Sequence, residues 1–211
     1  MKKVVTFFAV AVAMLAAGSA KAQVGFHIGY MPETFTNETT VLGTTATTES
    51  DLSGFYLGFH YNTSLSGDLG LMLAPQVRWN MKNEETTVLG VTNKNSQTQI
   101  LIDLPILFNY GIDFGGGIKL SAFAGPTVSF ALVGKTKNTV AGTEVTTEWY
   151  GDDGDSDRSR LNLYGTVGLA LTYSNFSLFG GYNLGILDMH KNENVKLTSG
   201  GLFFGLGFGL E

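Results

Sequence analysis

Gln97-Thr98-Gln99-Ile100-Leu101-Ile102-Asp103-Leu104-Pro105-Ile106-Leu107-Phe108-Asn109-Tyr110 is the stretch on which the fold turns. Ile100, Ile102, Leu104, Ile106 and Phe108 recur at every second position, while Gln99, Asp103 and Asn109 fall between them. A period of two sends successive side chains to opposite faces of a β-strand, so this segment has one apolar face and one face that carries a charge. In a soluble barrel the apolar face would turn inward. In a membrane barrel it turns outward to lipid, and the polar face lines the lumen.

The same alternation recurs on either side. Val24-Gly25-Phe26-His27-Ile28-Gly29-Tyr30 sets large apolar residues against Gly and His. Phe55, Leu57, Phe59 and Tyr61 oppose Tyr56, Gly58 and His60, and Leu69, Leu71, Leu73, Val77 and Trp79 oppose Asp68, Gly70, Met72, Gln76 and Arg78. Further segments at about 117–133, 160–173, 175–187 and 196–210 bring the number of strands to eight. The face opposite each apolar stripe is often Gly, Ser or Thr. Aromatic residues gather near strand ends, with Tyr30 and Trp79 at one end and Tyr61, Tyr110, Phe114, Tyr173 and Phe176 at the other, as two interfacial girdles would require. These features select the apolar-out arrangement. The expected fold is all-β, an eight-stranded antiparallel transmembrane up-and-down β-barrel with extended extracellular hairpins.

Connection lengths orient it. Long polar excursions at about 32–53, 81–96 and 134–159, and a medium one at 188–195, alternate with short links at 62–67, 111–116 and Ser174-Asn175. Outer-membrane barrels place long loops outside the cell and short turns in the periplasm, so both termini are expected in the periplasm. The N-terminus agrees. Lys2 and Lys3 precede an apolar run from Val4 to Ala17, and Ala20-Lys21-Ala22 has small residues where a signal peptidase needs them. Residues 1–22 read as a cleaved signal peptide and residues 23–211 as one barrel domain in the outer membrane. With no Cys in the chain, neither a disulfide framework nor a lipid-modified Cys is available. The net charge of −5, made more acidic by loss of Lys2, Lys3 and Lys21, excludes nucleic acid as a partner.

Three loops share a pattern. Thr40-Val41-Leu42-Gly43, Thr87-Val88-Leu89-Gly90 and Thr139-Val140-Ala141-Gly142 sit mid-loop among Thr-rich stretches. Thr and Val favour strands and Gly favours tight turns, so Leu42 and Gly43, Leu89 and Gly90, and Ala141 and Gly142 are expected at the tips of hairpins that carry the sheet beyond the membrane. Register tests this. A turn at Leu89-Gly90 puts Gln76 opposite Asp103, and a turn at Leu42-Gly43 puts His27 opposite Gly58. Both pairs have the inward parity, which a slip of one residue would destroy. The stretch 151–157 is more chain than a simple hairpin absorbs and is expected to bulge out as an acidic segment.

Leu104-Pro105-Ile106-Leu107-Phe108-Asn109-Tyr110, Phe123-Ala124-Gly125-Pro126, Gly168-Leu169-Ala170-Leu171 and Gly181-Tyr182-Asn183-Leu184-Gly185 resemble the PorT-like outer-membrane β-barrel family of Bacteroidota. The resemblance covers most of the mature chain and implies an eight-stranded outer-membrane barrel, usually without enzymatic activity; one class of members assists protein secretion. The chain departs from the family where Asn162-Leu163-Tyr164 enters strand six in place of Asp-x-Gly. It also ends on Leu210-Glu211, with Phe208 as the nearest aromatic residue.

Inside the barrel, Arg78 lies one diagonal step from Asp103, and a buried charge in a narrow lumen wants a partner. These two, with Gln76 and with Gln99 and Lys119 as further members, are expected to plug the lumen as a structural cluster. His27 and His60 are expected to be diagonal neighbours on the inner wall, without the third ligand a metal site needs. Asp153, Asp155 and Asp157 are spaced like the start of a calcium loop, but Arg158 stands where that loop needs Gly and Tyr164 where it needs Glu. No spacing suggests a hydrolase, a nucleotide loop or a cofactor site, and only His190, Asp188 and the acidic segment could serve an enzyme at the rim. Two classes stay open. One is a non-enzymatic barrel with a structural or surface-interaction role, working through the protruding hairpins. The other is a passage or carrier for small molecules, with inward Gly25, Gly29, Gly58, Gly70 and Gly125 opening a cavity. The expected partners are outer-membrane lipid, lipopolysaccharide and an extracellular or envelope protein, with the barrel as a monomer.

Overall fold

The computed structural model describes residues 23–41, 43–88, 91–140, 142–150, 158–191 and 195–210. Its strands are β1 (Gln23–Tyr30), β2 (Glu33–Val41), β3 (Thr44–Ser66), β4 (Leu69–Leu73), β5 (Gln76–Val88), β6 (Val91–Gly115), β7 (Ile118–Val140), β8 (Thr143–Glu148), β9 (Leu161–Tyr173), β10 (Phe176–Gly185) and β11 (Val195–Leu210). All pairings are antiparallel, and β1 pairs with both β3 and β11, which closes the sheet into a ring.

Eleven elements make a ring of eight strands because two are continuations and one is a hairpin arm outside the ring. β2 carries β1 past Met31-Pro32 without change of register against β3 or β11. β5 carries β4 past Ala74-Pro75 in the same way against β3 and β6. Both interruptions fall at a proline, which has no N–H to give to the ladder. β8 is the return arm of a hairpin on β7. The closed antiparallel ring expected from the alternation is the architecture found, with the apolar face outward. Phe59, Leu169 and Leu206 are more than half exposed, while His27, Asp103 and Asn183, on the opposite parity, are buried.

At the end that holds both termini the links are tighter than expected. β3 runs on to Ser66 and β6 to Gly115, leaving Gly67-Asp68, Gly116-Gly117 and Ser174-Asn175 as turns. Polar residues at the rim do not stop the ladder, because backbone groups go on satisfying one another whatever the side chain. Gly67, Gly116 and Gly117 have φ of 54°, 63° and 80°, the left-handed region that glycine enters without steric cost.

At the opposite end the expected hairpins extend the sheet. Their last pairs are Val41↔Thr44, Val88↔Val91 and Val140↔Thr143, and His27↔Gly58 and Gln76↔Asp103 hold as the parity required. Gly43 and Gly142 take φ of 80° and 85° at the tips; Leu42, Leu89, Gly90 and Ala141 lie outside the described residues. Cross-strand pairs knit the arms, including Lys94–Glu85 at 3.0 Å, Lys137–Glu144 at 2.9 Å and the hydroxyl pairs Thr40–Thr45 and Thr87–Thr92 at 3.0 and 3.2 Å.

The ring splits at this end. β3 and β5 pair only as far as Ser53↔Met81, although both strands run on. The same register continued would set Glu49 against Glu85, with Asp51 diagonal to Glu85. Like charges directly opposite are destabilising by up to about 1 kcal/mol. Glu85 pairs with Lys94 on its other side instead. The outcome is two ribbons, β11-β2-β3 and β5-β6-β7-β8, with unpaired edges at 44–52 and 82–88. Glu49→Lys should let pairing run past Ser53 and slow amide hydrogen exchange across 44–52 several-fold. Unchanged exchange there would remove charge repulsion as the cause of the fork.

Candidate functional site: a charged plug across the lumen

Inward positions of six ring strands converge at mid-barrel: Glu33 on β2, Arg78 and Asn80 on β5, Asp103 on β6, Ser129 on β7, Tyr164 on β9 and Ser199 on β11. Each is almost wholly buried, Arg78 and Asp103 at 1% exposure. Arg78 Nε donates to Asp103 Oδ2 at 2.9 Å and Nη2 to Oδ1 at 3.3 Å, while Nη1 donates to Glu33 Oε2 at 2.8 Å. Glu33 also receives the Asn80 amide, the Tyr164 hydroxyl and, at 2.7 Å, the Ser199 hydroxyl. Asp103 receives the Ser129 hydroxyl and Gln76 Nε2.

The chemistry of such a cluster is constrained. Taking each ion out of water costs several kcal/mol, recovered only when geometry is good and every remaining lone pair is met. One guanidinium between two carboxylates leaves one surplus negative charge. The hydroxyls of Tyr164, Ser199 and Ser129 and the amides of Asn80 and Gln76 spread it. All of these groups are buried, and their hydrogen bonds cross-link the wall.

One layer towards the hairpins the interior turns apolar: Phe35, Leu52, Leu101, Ala131, Met189 and Leu197 pack with Trp149 and Tyr150. The last two come from the long excursion after β8. A bulge at Leu132 and Val133, where Ile100↔Val133 gives way to Leu101↔Ala131, shifts parity so that Gly134 faces inward. A side chain there would strike both aromatic rings. Trp149 Nε1 donates to Thr136 Oγ1 at 2.7 Å, and Gln99 Nε2 donates to the Tyr150 hydroxyl at 2.7 Å. Arg158 lies over Trp149 at 4.7 Å and Arg160 over Tyr150 at 5.4 Å.

Towards the termini lies a cavity of about 170 Å³. The inward glycines do not all open it. Gly25 lies under His60, Gly29 under Tyr56, Gly58 under Gln76 and His27, Gly70 under Asn109, and Gly125 against the Ile106 backbone. Large side chains lie flat along the wall because those positions have no Cβ.

The expected lumen residues therefore separate. Arg78, Asp103 and Gln76 are together, and Gln99 joins through the Asn80 amide at 2.9 Å. His27 attaches through Gln76 at 3.0 Å and stacks on His60 with ring centroids 5.9 Å apart, while His60 itself makes no contact with the ions. Lys119 is not a member. Ser129 is the β7 residue opposite Asp103, and ten residues of strand put Lys119 roughly 33 Å away along the chain. Among the described residues no three of His, Cys, Asp and Glu converge on a metal position, and Asp153, Asp155 and Asp157 lie outside them. Glu33 was missed because the polar stretch from residue 32 reads as loop. Carrying the parity of His27, Gly29 and Met31 through Pro32 would have placed it inward.

A closed antiparallel ring, apolar outside around its girth and ionic within, is a transmembrane β-barrel. The chain belongs to the outer membrane protein beta-barrel domain family, which matches residues 16–191, and it is an outer-membrane protein. Similar solved structures include Ail, the attachment invasion locus protein of Yersinia pestis, at 16% identity over 90% of this chain and 99% of that one with a TM-score of 0.42. Neisserial surface protein A has 13% identity over 87% and 96% with a TM-score of 0.43, and the outer membrane enzyme PagL 15% over 82% and 97% with a TM-score of 0.40. No curated protein matches the sequence.

Asp103→Leu leaves Arg78 half-paired in the lumen and should destabilise the barrel by about 3 kcal/mol, whereas Lys119→Met should leave stability unchanged. The midpoint for loss of the compact, heat-modifiable band in urea checks both; equal midpoints for all three proteins would dismiss the plug as a stabilising element.

Proposed function

We propose that this is a non-enzymatic surface-interaction barrel, freed of its signal peptide after Ala22, with both termini in the periplasm and its hairpins outside the cell. The observation that carries this reading is the state of the lumen. Plug and cap together occupy the barrel in its hairpin-end half, so nothing of solute size passes along the axis, and the passage reading loses its physical basis. What the molecule leaves unsatisfied towards the hairpins is backbone: the edges at 44–52, 82–88 and 143–148.

Natural sheets blunt free edges with Lys, Pro or bulges. The edges at 44–52 and 143–148 contain neither Lys nor Pro. Such edges accept an added strand from another chain, with main-chain hydrogen bonds giving affinity and Thr hydroxyls and methyls lining the contact. Glu49, Asp51, Glu144 and Glu148 on these edges oppose addition of a second copy, which favours a monomer in lipid and lipopolysaccharide with an extracellular or envelope protein as partner. The motif likeness to PorT-like barrels fits an envelope role of this kind. The rim pair offers little for catalysis, since Asp188 Oδ1 is already held at 2.9 Å by the backbone N–H groups of His190 and Leu197.

In planar bilayers the purified barrel should show no stable conductance step. On whole cells, Thr47→Pro combined with Thr146→Pro should lower adhesion to neighbouring cells or coated surfaces about tenfold while the heat-modifiable shift is retained. A steady channel, or adhesion indifferent to both prolines, would overturn the reading.

A further inference from the structure

We infer that the terminal-end half of the lumen is a binding cavity for a small molecule with an apolar, ring-sized body and one carboxylate. An eight-stranded barrel has room inside for its own side chains and little else, so an open volume there needs a cause. The cause is on β11, whose inward positions Gly205, Gly207 and Gly209 project no side chain. Gly205 is covered by Tyr56 and Phe179 and Gly209 by Gln23, but at Gly207 the nearest atoms to a Cβ would be those of Ser177 at 3.5 Å and of His60 and Phe179 at 3.7 Å, which is ordinary contact. Gly207 borders the cavity, and a side chain added there would grow without a clash at its Cβ.

Its lining has a graded chemistry. The floor against the plug is polar but already paired, Thr127 with Thr166 and Thr166 with Asn183 at 2.7 Å each, and His27 with Gln76 at 3.0 Å. A ligand gains nothing by placing a polar group there. The waist is apolar, formed by Met31, Tyr56, Leu107, Phe123, Phe179 and Phe203. Flat aromatic walls of this kind favour an aromatic or compact aliphatic body.

The mouth selects the head group. Among the described residues no Asp or Glu lines the cavity, and Lys119 is the one Lys or Arg that does. Asp113 lies directly opposite Lys119 but turns its Oδ1 to the Gly115 N–H at 2.7 Å, and among the described residues Lys119 forms no ion pair. The Lys119 stem lies across Gly111, where a Cβ would collide with it. An ammonium that no described carboxylate pairs with, above an apolar waist, matches a carboxylate whose apolar body enters first. The inference is independent of the surface role, since plug and cap separate this cavity from the hairpins.

The test uses the full barrel in lipid nanodiscs and 4-(trifluoromethyl)phenylacetate, followed by broadening of its fluorine resonance. Wild type should broaden the line saturably. Gly207→Leu, which fills the space, should weaken binding about tenfold; Lys119→Glu, at the rim and clear of the plug, should abolish it, and the neutral amide of the probe should bind several-fold more weakly to wild type. The heat-modifiable shift reports folding of each variant, and Lys119→Glu carries the test if Gly207→Leu does not insert. Equal broadening by empty nanodiscs, by both variants or by the amide would mean partition into lipid only, and no saturable broadening would equally overturn the inference.

Discussion

Arg78 has nowhere to put its charge except on Asp103 and Glu33, and the rest of the interior is arranged around that necessity. Water does not reach the guanidinium, so both carboxylates must be held in place, and each in turn needs donors for the lone pairs Arg78 leaves over. Those donors come from β5, β7, β9 and β11, which are not all neighbours in the ring. The plug therefore ties strands across the lumen that the ladder joins only around the circumference. In a soluble sheet protein this cross-linking falls to a hydrophobic core. Here the apolar residues face lipid, and the polar interior takes on the task.

The glycines follow from the same geometry. A narrow lumen that must hold Arg78, Tyr164, Tyr56, Phe123 and Phe203 can do so only if facing wall positions are vacated. Gly168 lies under Phe123, Gly181 under Phe203, and Gly29 and Gly205 under Tyr56, whose hydroxyl reaches the Phe204 carbonyl at 3.3 Å. Aromatic side chains cover backbone that glycine leaves bare, which also shields the inner ladder from water. Glycine content high enough to suggest flexibility is here a packing device.

Much of this was legible in the sequence because a period of two is unforgiving. Once Ile100 to Phe108 face lipid, Gln99, Asp103 and Asn109 must face inward, and a two-residue turn at 89–90 then fixes Gln76 opposite Asp103. What could not be read lay where parity breaks. The bulge at Leu132 and Val133 resets the face of everything after it on β7, and no residue type there announces it. Trp149 and Tyr150 fold back into the lumen past that bulge, so the cap was invisible to alternation, although two large aromatics within a Thr- and Glu-rich excursion would be poorly placed in water. Lys119 was assigned to the plug on face alone, and face says nothing about height along the axis.

The fork between β3 and β5 shows how the two ends of the barrel come to differ. Within the membrane band an unpaired backbone group has no water to turn to, so the ring must close there. Beyond it water satisfies the edge, and side-chain charge becomes the deciding influence. Glu85 has Lys94 on one side and would have Glu49 on the other; the favourable contact persists and the unfavourable one opens. Edge strands at 44–52 and 82–88 are thus a consequence of where the charges sit relative to the membrane boundary. A sheet that opens only beyond the membrane band offers a strand edge to water without exposing one to lipid.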